Sequence, residues 1–479
     1  MPELWTLIVA ALAVLAPAVA AVHIVLTKRN SSAAVAWMGL VWLAPLLGVL
    51  SYLVLGINRI HRRAVAIRKE DRDDGIAEPV PPFSIEELEE ALGPDDRHLV
   101  ALARLGTRIG GQPLVGGNDA TLLENGDEAV PAMLEAIEGA ERSVSLCTYI
   151  FDVDPTGRRF LEALSGAVGR GVEVRVLIDA VGVRYSQPRM NQLLAERGVR
   201  VALFHPELLP WRMPYFNLRN HRKILVTDGR VGFTGGMNLR QGHMVKEAPE
   251  HPVRDIHTRL EGPIVQSMQR TFAEDWLTTT GEKLRGEGWF PELDPVGKMI
   301  ARGIPDGPDV DFEQILTLLL GALAVADRRV RIVTPYFIPD ERLVDALGVA
   351  AMRGVEVELF LPEKPNLTLV QWASQAYWPV VLEKDVRIFL TGAPFDHSKM
   401  MTVDGAWGMI GSANWDPRSL QLNFEFNVES YDGGFVAELE RAVDRRAAGA
   451  REVTRAEVDG RPIHLRLRDG TTRLLSPLL

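Results

Sequence analysis

The same arrangement of polar residues occurs twice in this chain of 479 residues, once in each half. In both copies a histidine is followed after two residues by a lysine, after seven by an aspartate and after seventeen by an asparagine. The copies are His221, Lys223, Asp228 and Asn238, and His397, Lys399, Asp404 and Asn414. Repeats this far apart indicate a duplicated domain, because solenoid units have shorter periods.

The repeat extends to the segments upstream of the motif. Arg170–Leu177 (RGVEVRVL) recurs as Arg353–Phe360 (RGVEVELF). The predicted elements of the two halves are strands at 144–150, 172–179, 330–334 and 355–361, and helices at 158–169 and 341–352. Strands that alternate with helices of this length predict an α/β fold with a largely parallel sheet.

The repeated residues suit the handling of a phosphate group. Histidine can act as nucleophile or proton donor near neutral pH, and lysine places an ammonium on phosphate oxygens. Asn238 and Asn414 add amide donors, and the glycines before them let backbone N–H groups approach closely. The sequence therefore predicts one site that contains two histidines, two lysines and two asparagines.

Carboxylates are needed to orient the two histidines. Asp255 and Glu425 follow the two motifs and are the candidates for this role. Asp228 and Asp404 precede glycines in predicted hairpin turns, so a role in the turn competes with a role in the chemistry. His257 alternates with Asp255, which predicts that it lies on the same strand face near the phosphate; a solvated strand is the alternative.

Two apolar runs occupy the N-terminus, at about 4–26 and 33–55. Each is long enough to cross a bilayer, so residues 1–58 are predicted to form two transmembrane helices. The connector contains two basic residues, whereas the stretch after the second run contains five between 59 and 69. This bias places the remainder of the chain on the cytoplasmic side.

The rest of the chain divides into a linker and two repeats. Residues 59–110 are predicted to be a charged linker, with a short helix at 84–92 that begins with a capping-box pattern. Residues 111–305 form the first repeat and 306–479 the second. The formal net charge is −10, which argues against a general nucleic-acid binder.

One further segment and two further histidines lie near the first motif. The aromatic, proline-bracketed segment 210–216 precedes the first motif and is predicted either to enter the membrane interface or to form a wall of the site. His243 and His251 have no spacing typical of a metal site and are predicted to be surface residues.

The paired H-x-K-x4-D motifs resemble those of the phospholipase D superfamily, and within it the bacterial cardiolipin synthases. Further matches are Tyr149–Phe151, Thr334–Pro339, Asn423–Glu425 and the terminal Leu475–Leu479. The resemblance covers nearly the whole chain. It implies two tandem phospholipase D-like α/β repeats that form one pseudo-twofold catalytic unit, preceded by two transmembrane helices in a bacterial plasma membrane.

The resemblance also implies an activity. Such enzymes join two phosphatidylglycerol molecules into cardiolipin and glycerol through a phosphatidyl-histidine, with no metal or organic cofactor. By analogy His221 is the nucleophile and His397 the acid and base. The expected partners are the phospholipids phosphatidylglycerol and cardiolipin, not nucleic acid.

Other activities remain open for this set of residues. A phospholipase D that uses water as acceptor would need the same residues, and a nuclease branch or an inactive membrane scaffold are further alternatives. Residues 241–244 depart from the family pattern just after the first motif. The choice of acceptor alcohol is therefore the least determined part of the prediction.

Overall fold

The structure, a computed structural model, describes residues 2–28, 31–53, 81–110, 112–204, 218–308 and 311–476. These residues fall into two compact units. One contains the N-terminal helices up to residue 53, and the other contains everything described from residue 81 onward. The predicted segment 210–216 lies outside the described residues.

The N-terminal unit consists of helices α1 (Pro2–Thr27), α2 (Ser31–Leu43) and α3 (Pro45–Ser51). The second apolar run was predicted to be one helix, but it is interrupted at Ala44, whose φ of −133° and ψ of 72° are not helical. Pro45 accounts for the break, because proline disfavours a helical conformation in the residue before it. Within the described residues no helix is long and apolar enough to cross a membrane. The two predicted spans are therefore not confirmed.

In its described residues, the first half of the α/β body contains nine strands and six α-helices, the last of which is α9. In chain order these are α4 (Ile85–Ala91), α5 (Leu99–Ile109), β1 (Val115–Glu124), α6 (Asn125–Glu138), β2 (Ser143–Thr148), α7 (Pro155–Gly169), β3 (Glu173–Asp179), α8 (Met190–Glu196), β4 (Arg200–Phe204), β5 (Arg219–Asn220), β6 (Ile224–Thr227), β7 (Val231–Gly235), β8 (Val253–Arg254) and β9 (Ile256–Glu261). Helix α9 (Ile264–Thr280) follows and closes this half.

The second half repeats this order. It contains β10 (Met299–Asp306), α10 (Gln314–Val325), β11 (Arg329–Val333), α11 (Glu341–Met352), β12 (Glu356–Pro362), α12 (Thr368–Gln375), α13 (Trp378–Glu383), β13 (Arg387–Thr391), β14 (Phe395–Asp396), β15 (Met400–Val403), β16 (Trp407–Gly411), α14 (Pro417–Gln421), β17 (Asn423–Ser430), α15 (Gly433–Ala447), β18 (Arg451–Glu452), α16 (Arg455–Asp459) and α17 (Ile463–Arg473). The repeated strand–helix–strand units are confirmed, with ends shifted by a few residues at most.

One sheet runs through both halves. Its order is β18-β13-β12-β11-β15-β16-β17-β10-β1-β9-β7-β6-β2-β3-β4, and β5 pairs with β17. Reading outward from the central antiparallel pair β1–β10, each half presents equivalent strands in the same order. The pseudo-twofold axis therefore passes between β1 and β10. Strand β10 (Met299–Asp306) includes both residues of the predicted boundary at 305/306. It pairs with β1 on one side and with β17 on the other.

The sheet is mixed, so the prediction of a largely parallel sheet is wrong. The parallel strands are β2–β3–β4 and β11–β12–β13, together with the two-residue pairs β5–β17 and β8–β14. The strands after each motif histidine form hairpins, β6–β7 and β15–β16. Asp228 and Gly229 have φ of 53° and 63° in the first turn, which is the type I′ geometry that joins two adjacent strands directly.

Part of the predicted linker belongs to the body. Helix α4 begins with the expected capping box at Ser84 and Glu87. Helix α5 buries Leu99 and Leu102 in the same core cluster as Leu319 of α10. Residues 84–109 therefore pack against the body. The free energy gained by burying the apolar face of α5 exceeds the entropic cost of ordering its charged neighbours.

Candidate active site

The two motifs meet at one cavity of about 310 Å³. His221 and Lys223 occupy the extended segment between β5 and β6, and His397 and Lys399 occupy the equivalent segment between β14 and β15. Both histidines and both motif asparagines line the cavity. The predicted convergence of the two motifs is thus present in the structure.

Each histidine is paired with a carboxylate from the opposite half. His221 Nδ1 lies 3.0 and 3.1 Å from the Glu425 carboxylate oxygens, and His397 Nδ1 lies 3.0 Å from Asp255 Oδ2. Each histidine also donates its backbone N–H across the halves, His221 to Phe424 O at 2.9 Å and His397 to Arg254 O at 2.7 Å. The carboxylates leave Nε2 of both rings directed toward the cavity. Neither half therefore supplies the carboxylate that orients its own histidine.

The carboxylates are themselves held in place. Glu425 accepts hydrogen bonds from the Ser412 hydroxyl at 2.5 Å and from the Asn423 amide at 3.1 Å. Asp255 accepts one from the backbone N–H of Ile256 at 2.8 Å. A Cβ at Gly236 would lie 2.3 Å from Asp255 Oδ1, so the glycine is required for the carboxylate to reach His397.

Burial dominates the electrostatics of the histidines. Burial lowers the pKa of His221, and the charge and hydrogen bond of Glu425 oppose this. The pKa of His397 is well below its usual value, because of burial and then the charges of Lys399 and Lys223. The pKa of both rings therefore lies below the usual value, and that of His397 lies further below it.

The two carboxylates differ in their ionisation. Burial raises the pKa of Glu425, but His221, Lys223 and Ser412 outweigh it, so the net pKa lies below its usual value. Burial raises the pKa of Asp255 to about 6, although Lys399 opposes this. Glu425 is therefore the more fully ionised partner, and the two histidine pairs are electrostatically unequal.

The motif lysines are almost fully buried beside the histidines. Each Nζ donates to the backbone carbonyl of the motif histidine two residues earlier, at 2.6 Å for Lys223. Burial lowers the pKa of Lys223 to about 7 and that of Lys399 to about 8. A phosphate anion would restore full charge to both, because a nearby negative charge favours the ammonium form.

The asparagines are fixed by different partners. Asn238 Oδ1 accepts from the backbone N–H of Ile150 at 3.2 Å, which leaves its NH₂ group for the cavity. Asn414 Nδ2 donates to Ser419 Oγ at 3.1 Å. Its buried Oδ1 has no hydrogen-bond partner among the described residues. Both amides thus retain capacity for a ligand in the cavity.

Asp228 and Asp404, predicted among the catalytic residues, are not at the cavity. The Asp228 carboxylate accepts from the backbone N–H groups of residues 141–143 at 2.7 to 3.3 Å. Asp404 accepts from the N–H groups of residues 327–329 and from His98 Nε2 at 2.7 Å. Both lie in hairpin turns at the far end of β6 and β15 from the histidines, so the geometry supports the turn role and not the chemical one.

Loss of the Asp228 carboxylate should therefore affect stability. We expect Asp228→Ala to lower the free energy of unfolding by about 1–3 kcal/mol, because the backbone N–H groups of residues 141–143 lose a charged acceptor. Asp228→Asn, which keeps an acceptor and tolerates positive φ, should cost less. Urea unfolding followed by tryptophan fluorescence measures both. Turnover per folded molecule should stay near that of the wild type. A loss of turnover as large as that of a histidine variant would show that Asp228 takes part in the reaction.

The structure adds residues to which the sequence had assigned no role. Tyr149 packs edge-on against His221 at 5.2 Å between ring centroids, and Tyr336 packs against His397 at 6.2 Å. Both are at the ends of equivalent strands, so the repeat could have identified them. His243 also lines the cavity and is buried, so its assignment to the surface is wrong, whereas His251 is exposed as predicted.

His257 does not reach the cavity. It is buried on β9 opposite Gly235, and burial lowers its pKa to about 3. The prediction that it lies near the phosphate with Asp255 is therefore wrong, and so is the alternative of a solvated strand. Asp255 immediately precedes β9, whereas His257 lies within β9, in the packed part of the sheet.

The walls of the cavity break the pseudo-symmetry. Arg219 precedes the first motif and pairs in register with Asn423, whereas Phe395 occupies the same place in the second motif and pairs with Val253. The wall beside His221 is thus polar and cationic. The wall beside His397 is apolar and continues through Ile338, Leu367 and Val370.

Comparison with known proteins agrees with this architecture. A family model described as "Cardiolipin synthase, PLD-like domain" matches residues 133–276 and 319–447. A second, described as "Phospholipase_D-nuclease N-terminal", matches residues 15–56. The crystal structure of phosphatidylserine synthase from Haemophilus influenzae has a similar fold, with a TM-score of 0.61 at 14% identity over 79% of this chain and 100% of its own.

Relatives at higher identity span almost the whole chain. A cardiolipin synthase of Geobacillus kaustophilus is 34% identical over 96% of this chain and 91% of its own length. Cardiolipin synthase A of Pseudomonas fluorescens is 33% identical over 96% of this chain and 95% of its own. The chain, a mixed α/β protein with two phospholipase D-like repeats, belongs to the cardiolipin synthase family of phospholipase D-like enzymes.

Proposed function

We propose that this enzyme condenses two phosphatidylglycerol molecules into cardiolipin and glycerol. The observation that carries the proposal is the pair of cavity-facing histidines, each held by a carboxylate of the opposite half. Two such imidazoles on opposite sides of one phosphate can act as nucleophile and as proton donor. The relatives named cardiolipin synthase supply the substrate class.

The proposed reaction has two displacements at phosphorus. In the first, Nε2 of one histidine forms a P–N bond while the P–O bond to the departing glycerol breaks, and the other histidine donates a proton to that oxygen. In the second displacement, the histidine that donated the proton now takes a proton from a glycerol hydroxyl of another phosphatidylglycerol. That oxygen then displaces the first histidine and forms cardiolipin. The family resemblance assigns the nucleophile to His221.

The remaining site residues stabilise the charge that develops on phosphorus. We expect Lys223 and Lys399, one from each half and each beside its motif histidine, to bind the non-bridging oxygens. The NH₂ group of Asn238 is left for the same oxygens by its bond to Ile150. In a buried site such preorganised donors are worth more than they would be in water.

The decisive experiment follows the lipid products of the purified enzyme. Labelled phosphatidylglycerol in detergent or liposomes should yield cardiolipin and free glycerol in equal amounts, because each condensation releases one glycerol. Mass analysis of lipids and a glycerol assay measure both. Phosphatidic acid as the sole product would replace the proposal with a hydrolase, since water would then be the acceptor.

We further propose that the N-terminal apolar runs attach the enzyme to the bacterial plasma membrane, with the body on the cytoplasmic side. The support is the length of the runs at 4–26 and 33–55 and the basic bias after the second. Large apolar side chains of α1 such as Val19 and Leu26 are also exposed. Protease protection in right-side-out and inverted vesicles tests the topology: a body that is cleaved only in right-side-out vesicles would contradict it.

A further inference from the structure

Helix α17 directs apolar side chains toward solvent. Ile463 and Leu467 of α17 and Leu474, which follows it in a helical conformation, are 66%, 63% and 76% exposed, and their spacing of four and seven residues places them on one face of the helix. Leu367 and Leu369, at the start of α12, are each 48% exposed. Single exposed leucines need no explanation, but an aligned group marks an interaction surface.

The two helices form one surface. The Arg468 guanidinium lies 4.3 Å from the ring centroid of Trp372 in α12, and that of Arg473 lies 5.7 Å from the ring of Tyr377 just after it. Arg461 donates to Gln375 Oε1 at 3.0 Å. These contacts fix α17 against α12. We call the exposed apolar group on both helices the α12–α17 face; it consists of Leu367, Leu369, Ile463, Leu467 and Leu474.

The α12–α17 face adjoins the active-site cavity. Leu367 is half exposed on the face and also lines the cavity. Val370, one turn further along α12, lines the cavity as well and packs with Ile338 on its apolar wall. A continuous apolar path therefore leads from the face to the side of the cavity that contains His397.

The charge around the face suits an anionic surface. The chain has a formal net charge of −10, yet residues 461–473 contain four arginines and one aspartate. That aspartate, Asp469, is buried and paired with Arg461 and Arg468. Arg466 and Arg473 remain on the flank of the apolar face. A helix with an apolar face and arginines beside it is typical of segments that lie in the headgroup region of a bilayer.

We propose that the α12–α17 face rests on an anionic lipid bilayer and admits lipid to the cavity along Leu367. This contact is additional to the N-terminal runs, and it rests on the proposed function in that the cavity takes a membrane lipid. Apolar burial at the face and the attraction of Arg466 and Arg473 to anionic headgroups hold the mouth of the cavity at the bilayer. A lipid can then enter without exposing its acyl chains to water.

A fluorophore at Leu467 tests the contact directly. Cys147 is the sole cysteine and is buried, so Leu467→Cys can be labelled selectively in the full-length folded chain. In bilayers that contain phosphatidylglycerol, its emission should shift to the blue and be quenched by brominated lipids. Val296→Cys, 55% exposed in the loop between α9 and β10, is the matched control and should report water. Absence of a shift at Leu467, or an equal shift at both positions, would overturn the proposal.

An activity measurement separates the face from the chemistry. Ile463→Glu combined with Leu467→Glu should lower cardiolipin formation in phosphatidylglycerol bilayers about tenfold, because two buried apolar contacts are lost. Turnover of short-chain phosphatidylglycerol dissolved as monomers should stay within about twofold, which also shows that the variant folds. Equal losses on both substrates would assign these residues to the fold and overturn the proposal. If the wild-type enzyme makes no cardiolipin, the proposed function fails, and the fluorescence experiment still decides the face.

Discussion

Alanine in place of either motif histidine is expected to lower cardiolipin formation by at least about 10³-fold. The first displacement needs a neutral imidazole at phosphorus and a proton donor on the opposite side, and the second needs a base on that opposite side, so neither His221 nor His397 can substitute for the other. His221→Ala and His397→Ala should therefore show similar losses, and the double variant should be scarcely slower than either one. Initial rates of cardiolipin release from labelled phosphatidylglycerol measure this.

His251→Ala is the matched control. That histidine is in the same half as His221 but is exposed and outside the cavity, so its loss should leave the rate unchanged. A denaturing quench at alkaline pH, which preserves the acid-labile P–N bond, adds a test of roles, since a phosphatidyl group on nitrogen should be found in the variant that keeps the nucleophile, and not in the one that lacks it. A single variant that keeps a tenth of the wild-type rate would contradict the two-histidine mechanism.

Much of the site was predictable because the intervals between the motif residues correspond to the lengths of a strand and a hairpin. The interval from His221 to Asp228 spans one short strand, and the interval to Asn238 spans the hairpin and the turn that follows. Identical intervals in the second half imply the same hairpin, so two such hairpins with histidines at equivalent ends follow from the sequence. The repeated strand–helix–strand units were confirmed for the same reason.

The partners of the histidines could not be predicted from local spacing. His221 and Glu425 are 204 residues apart, and His397 and Asp255 are 142 apart. Their pairing depends on β5 adding to β17 and on β14 adding to β8, which are contacts between halves. Asp255 and Glu425 were identified as orienting residues, but only the tertiary structure shows that each one binds the histidine of the other repeat.

The errors elsewhere have equally local causes. A parallel sheet was inferred from strand–helix–strand units, which describe only three strands of each half. The segment around α5 was taken as linker because its charges and the prolines before it masked an apolar stripe. His243 was placed on the surface by the polar loop around it, whereas its side chain turns inward to the cavity and accepts from the Asn238 N–H at 3.4 Å.

Removal of the charge from the orienting carboxylates is the second large effect we expect. Glu425→Gln and Asp255→Asn keep the size of the side chain but lose the anion that holds the ring and stabilises the imidazolium. Each should lower the rate of cardiolipin formation by about 10²- to 10⁴-fold. Ser412→Ala, which removes one hydrogen bond to Glu425 and leaves its charge, is the control and should cost far less.

The pH dependence distinguishes orientation from general damage to the fold. Glu425 raises the pKa of His221 against the effect of burial, so its replacement by glutamine must lower that pKa further. The limb of the pH–rate profile that reports His221 should therefore move to lower pH in Glu425→Gln. Asp255, with a pKa raised to about 6, is the less ionised partner, so Asp255→Asn should lower the rate with a smaller shift.

This inequality follows from the way the two halves meet. Glu425 is held ionised by His221, Lys223 and the Ser412 hydroxyl, whereas Gly236 occupies the position equivalent to Ser412 and offers Asp255 no hydroxyl. The two sites are alike by duplication, and this position is one of the differences between them, beside the charges of Lys399 and Lys223 that lower the pKa of His397. A mechanism that requires one histidine to hold a proton while the other remains neutral needs such a difference. Equal shifts in both variants would show that the two pairs are interchangeable and that the asymmetry lies elsewhere in the cavity.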